Sequence, residues 1–291
     1  MLLEEAASCY PVIRIGEAEI LQQKKYGELE YLCFPQLAKT GIADHLFTTR
    51  MGGVSTGIFS SLNLSYTRGD EEGAVDENFR RVAAIFDETP DRIVCSHQTH
   101  TTNVRLVTEE DAGKGVTRKR EFTDVDGLIT DTPGLLLATF YADCVPLFFV
   151  DVRHKAIGLS HSGWRGTVER MGEKTLLAMK NAFGTRPEDV YAAIGPSICA
   201  GCYEIGFDVA EPFLKEFPEQ KEIVLPGKRE GKYQLDLWKA NETVLLDAGI
   251  LKEHLEITDI CTCHNPDYLF SHRASHGKRG NLAAFMELRK S

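Results

Sequence analysis

The segment ADCVPLFFVDVRHKAIGLSHSGWRG, residues 142–166, constrains the fold more than any other stretch of the chain. Two apolar runs, Val145 to Val150 and Ala156 to Leu159, flank the polar turn Asp151 to Lys155, and that pattern predicts an antiparallel hairpin. Counted from a turn centre near Arg153, Cys144 and His161 fall almost opposite each other on the two strands. Residues paired in this way have Cα atoms ~4.5–5.5 Å apart, which lets a thiolate and an imidazole share one proton or one metal ion.

Other strand-like runs are EYLCF at 30–34, HLFTT at 45–49 and GLLLATF at 134–140. Helical spacing of apolar residues predicts helices near Glu77 to Phe86, Val168 to Phe183, Val209 to Phe217 and Leu237 to Asp247. Several strands follow one another with no helix between them, so the expected fold is α+β, a single layered domain of mixed β-sheets flanked by helices. That domain is expected to span 1–291, with 1–40 as an N-terminal extension packing on it. The polar stretch Val107 to Arg120 reads as a solvated loop.

No run approaches the ~20 apolar residues of a membrane span. The net charge of −10, from 43 acidic and 33 basic residues, argues against nucleic acid as a partner and requires any anionic ligand to be held by a local basic cluster. The acidic first residues, unlike a secretory signal, favour a cytoplasmic protein. Eight cysteines in such a chain are then expected as core residues, ligands or nucleophiles. Cys199 and Cys202 form a Cys-x-x-Cys, but Cys261-Thr262-Cys263 has the wrong internal spacing to complete a zinc ribbon, so these cysteines are assigned to the core.

The segment IVCSHQTHTTNVRLV, 93–107, interrupts an apolar strand with His97, Gln98 and His100. Such groups need partners when buried. Either histidine bonds a loop carbonyl in the core, or His100 completes a three-ligand set with Cys144 and His161 and leaves an open position of the catalytic-zinc kind.

The phrases SLNLSYTRGDEEGAVDENFRR, SHQTHTTNV, DVDGLITDTPGLLLATFYADCVPLFFVD, HSGWRGTVERM, AAIGPSICAGCYEIG and DICTCHNPDYLFSHR occur together and in order. In these the chain resembles the YfiH/YlmD-type family, whose members have been called laccase-domain or polyphenol oxidase proteins and multifunctional purine nucleoside phosphorylases. The resemblance runs from about Leu46 to the C-terminus. It implies the family's layered α+β fold and a zinc bound by His100, Cys144 and His161. It also implies activity on adenosine, inosine, guanosine and methylthioadenosine, so the expected partners are a purine nucleoside and phosphate.

Within that reading, deamination of adenosine needs a carboxylate to move protons, and Asp143 and Asp126 are the candidates. Phosphorolysis needs an anion site. Arg50 stands where an apolar strand enters a glycine-containing loop, Arg165 opens a helix after Trp164, and Arg273 lies among histidines near the C-terminus. Asn63, between two leucines, could bond a substrate hydroxyl or merely an exposed backbone group. The alternatives are a copper-dependent phenol oxidase at the same Cys and His residues, and a metal-free hydrolase with Cys144 as nucleophile and His161 as base.

Overall fold

The central hairpin is buried on both faces, and this dictates the layering. In the computed structural model, which describes residues 9–16 and 19–290, the strands Val145–Asp151 and Ala156–Ser162 pair antiparallel around a turn at 152–155. Phe148 and Val150 point to one side, into an apolar cluster with Phe47, Leu137 and Met286. Leu147 and Phe149 point to the other, against Leu176, Met179, Phe213 and Val244. A strand covered on both faces reads as a continuous apolar run, as this one does.

The hairpin is the middle of a six-stranded sheet that also contains Leu255–Ile257, Val190–Ile194, Gly127–Thr130 and Val104–Leu106. A second six-stranded sheet faces it across the first cluster. It is built from Gln22–Tyr26, Leu29–Cys33, Ala43–Thr48, Leu282–Leu288, Leu136–Tyr141 and Ile93–Cys95. Each sheet contains both parallel and antiparallel pairs. Residues 22–33, within the stretch expected as an extension, are thus two strands of a main sheet.

Helices cover the outer faces, so the layers run helix, sheet, sheet, helix, an α+β architecture. Glu72–Ala83 covers one sheet through Val75, Phe79 and Val82, and Met171–Phe183, Phe207–Glu216 and Leu237–Asp247 cover the other. Leu237–Asp247 has the expected limits, set by the Asp236 carboxylate accepting the Lys239 N–H at 2.9 Å. The helix expected over 168–183 is broken in two, Trp164–Val168 and Met171–Phe183, because Arg170 takes a left-handed conformation with φ of 62°. The stretch 107–120 is not simply solvated: Asp111 and Lys114 are buried and ion-paired at 3.0 Å. No helix among the described residues is long and apolar enough to cross a membrane.

Candidate metal centre

The hairpin brings Cys144 and His161 together by a route that differs from simple cross-strand pairing. Pro146, not Cys144, lies opposite His161, and Val145 lies opposite Ser162. Cys144 belongs to a bend before its strand, where Asp143 has φ of 88° and turns the chain back toward His161. His100 arrives on the loop after Ile93–Cys95, itself left-handed with φ of 66°. The donor atoms of His100, Cys144 and His161 lie within 4.8 Å of one another, and the His100 Nε2 to Cys144 Sγ distance is 4.0 Å.

Asp126 holds this group from behind. Fully buried, its carboxylate accepts from His161 Nδ1 at 2.8 Å and from the backbone N–H groups of Thr99, His100 and Thr101 at 3.0–3.1 Å. One carboxylate therefore fixes the tautomer of one candidate ligand and the loop of another, leaving His161 Nε2 to face Cys144 and His100. Burial acts to raise the Asp126 pKa, but His161 and the backbone donors outweigh it and keep the carboxylate ionised. Cys144 behaves similarly: burial disfavours the thiolate, yet His161 and His100 pull the thiol down to about 6. Against the cost of burial, Cys144 and Asp126 push His161 up to about 9. Gly163 is required beside them, since a Cβ there would stand 2.9 Å from His100 Cδ2 and 3.3 Å from Cys144 Sγ.

The donor set fits zinc. A tetrahedral zinc with Zn–S of about 2.3 Å and Zn–N of about 2.0–2.1 Å needs only a modest contraction of such a group, and the carboxylate behind His161 is the usual orienting partner.

The three residues open onto a cavity of about 850 Å³. Its other walls carry Arg68, Lys119, Arg120 and Arg279, with Tyr66 and Phe140 as aromatic surface. Arg279 is buried, its Nε has no hydrogen-bond partner, and its Nη1 donates only to Gly280 O and the Asn281 side chain. Burial and the neighbouring Arg68 charge lower its pKa to about 10. A buried guanidinium beside a second arginine is a strong place for an anion.

None of the four residues expected to bind substrate lines this cavity. Arg50 does not line the cavity: its guanidinium donates to Ser60 O and Pro266 O, both at 2.7 Å, and stacks on Phe270. Asn63, also outside the lining, bonds Asp70 at 2.9 Å and accepts the Asn281 N–H at 2.9 Å, which ties three segments together. Arg165 is exposed and stacks on Trp164. Arg273 donates to the carbonyls of Cys202 and Glu204, and its N–H bonds Asp143 at 2.7 Å. The other Asp143 oxygen accepts from Thr262 Oγ1 at 2.7 Å. Arg68 and Arg279, which sequence reasoning missed, sit in the polar runs YTRGD and HGKRG, where spacing carries no signal.

A family described as multi-copper polyphenol oxidoreductase laccase matches residues 44–289. The chain is 34% identical to purine nucleoside phosphorylase YlmD of Bacillus subtilis over 84% of this chain and 88% of that one. It is 31% identical to adenosine deaminase RL5 of an unknown prokaryotic organism, over 84% and 94%. The crystal structure of YlmD from Geobacillus stearothermophilus superposes with a TM-score of 0.85 at 35% identity, covering 94% of this chain and all of that one. The chain therefore belongs to the YfiH/YlmD-type enzymes of the laccase-like family.

Proposed function

We propose that this chain is a zinc-dependent purine nucleoside phosphorylase acting on adenosine, inosine, guanosine and methylthioadenosine, with adenosine deaminase activity. One observation carries the reading: the His100, Cys144 and His161 donors share a single cavity with the buried guanidinium of Arg279, whose Nε has no hydrogen-bond partner. A zinc held by those donors supplies a Lewis acid at neutral pH. The names of the relatives supply the substrate class.

In phosphorolysis a phosphate oxygen forms a bond to ribose C1′, the C1′–N9 bond breaks, and the purine leaves with a proton. Arg279 and Arg68 hold the phosphate, offsetting its charge in a site partly closed to water. In deamination water adds at C6 of adenosine and ammonia leaves, with no anion required. Asp126 is assigned as a positioning residue, because its carboxylate is already saturated by His161 and three backbone donors. Asp143 has the same role toward Thr262 and Arg273.

The test is inosine turnover with and without phosphate, with product identification, in the wild type and in Arg279→Ala. Phosphate-dependent release of hypoxanthine and ribose 1-phosphate supports the reading. Oxidation of a phenol by copper-loaded protein, without nucleoside turnover, would replace it with the copper oxidase, and nucleoside hydrolysis by metal-free protein would replace it with the Cys144 hydrolase.

A further inference from the structure

The structure brings a second group of metal-type donors together. Cys199, Cys202, Cys261 and His264 have their ligand atoms within 4.8 Å of one another. The cysteines expected in the core thus meet a histidine that the sequence reading did not pair with them. Cys199 and Cys261 are buried, Cys202 is half-buried and His264 reaches the surface. None of Cys199, Cys202 and Cys261 is in a disulfide.

The spacing is Cys-x-x-Cys on one loop and Cys-x-x-His on another, the usual arrangement of two short turns that each offer two ligands to a structural zinc. The loops follow neighbouring parallel strands, Val190–Ile194 and Leu255–Ile257, so they leave the sheet side by side. Ser197 and Cys261 form a bridge, and Thr262 N–H donates to Ser197 O at 3.1 Å. A backbone donor already faces one of the sulfurs, with Cys199 N–H pointing at Cys261 Sγ from 3.3 Å, and Cys202 N–H closes the first turn on Cys199 O at 3.0 Å. His264 Nδ1 stands 3.9 Å from Cys199 Sγ.

We infer that Cys199, Cys202, Cys261 and His264 bind a structural zinc ion, in a site separate from the His100, Cys144 and His161 centre. Three sulfurs and one imidazole suit zinc, and four protein ligands leave no open position for substrate. The ion fastens the loops behind the catalytic wall. Thr262, between two of its ligands, bonds Asp143, and Arg273 bonds both Asp143 and the Cys202 carbonyl.

The inference stands apart from the proposed activity, and metal counting separates the two. Protein is expressed with zinc, purified without chelator under reducing conditions, and analysed for zinc per chain. Wild type should carry about two zinc ions and Cys144→Ala about one, the latter count falling to nearly zero when Cys199→Ser and Cys261→Ser are added. His264→Asn, at the surface, should release its zinc to a chelator at least tenfold more readily than wild type. One zinc in wild type and none in Cys144→Ala would overturn the inference, as would a Cys199–Cys261 disulfide in the zinc-free protein. The Cys144→Ala count decides even if the added substitutions prevent folding, with His100→Ala on its exposed loop as the matching check. If wild type and Cys144→Ala each hold one zinc, the second site stands and the zinc-dependent activity falls.

Discussion

Asp126 Oδ1 lies 2.8 Å from His161 Nδ1, and the same oxygen accepts the His100 N–H at 3.1 Å. Two candidate ligands from different elements are therefore registered by one buried atom. The tautomer of His161 and the position of the His100 loop cannot vary independently.

Asp126→Asn should preserve the shape of this contact and remove its charge. Metal affinity at the centre is expected to fall by about 10- to 100-fold, the usual cost of losing an orienting carboxylate. Competition with a chromogenic chelator measures this, and circular dichroism shows whether the fold survives. An unchanged affinity would mean that Asp126 serves the loop alone.

Arg279→Ala should lower inosine phosphorolysis by ~10- to 150-fold, as loss of a charge-assisted pair worth ~1.5–3 kcal/mol requires. Adenosine deamination should fall much less. Equal loss of both rates would show that Arg279 holds the nucleoside or the fold.

Arg50→Ala should behave differently, because its guanidinium ties the Ser60 and Pro266 carbonyls together. The expected cost is stability, on the order of 1–3 kcal/mol, with the two activities of the folded protein changing in parallel. Thermal melting and paired rate constants check this. A normal melting curve with phosphorolysis alone impaired would return the phosphate role to Arg50.

Glu287 faces Asp44 across the Leu282–Leu288 and Ala43–Thr48 strands. Its Oε2 is buried without a partner. Burial first, then the charges of Glu88 and Asp44, push its pKa up to about 8. The folded state therefore keeps a proton that the unfolded chain releases, and stability falls as pH rises from the ordinary carboxylate range through about 8. Glu287→Gln should melt like wild type near about pH 4 and gain on the order of 1–3 kcal/mol at about pH 9. A constant difference across that range would contradict the assignment.

The sequence made the hairpin legible because apolar runs and a polar turn determine strand pairing locally. It did not reveal that Cys144 lies outside the paired strand, since the left-handed Asp143 that re-aims it is a backbone event with no periodic signature. Polar residues in apolar settings were informative in one sense only. His161 is buried as a candidate ligand, whereas Asn63 is buried as a brace, and only its partners distinguish the cases. Arg279 was invisible because the cavity it lines is assembled from segments distant in sequence. The Cys199 cluster was hidden by pairing Cys261 with Cys263 when the ligand spacing runs to His264.

The most direct test of the central claim is the phosphate dependence of inosine cleavage by zinc-loaded wild type and by Cys144→Ala. The account predicts hypoxanthine and ribose 1-phosphate in equal amounts from the wild type, with no turnover in the absence of phosphate. Cys144→Ala, lacking the metal of this centre, should be inactive. Cleavage that ignores phosphate, or full activity in Cys144→Ala, would contradict it.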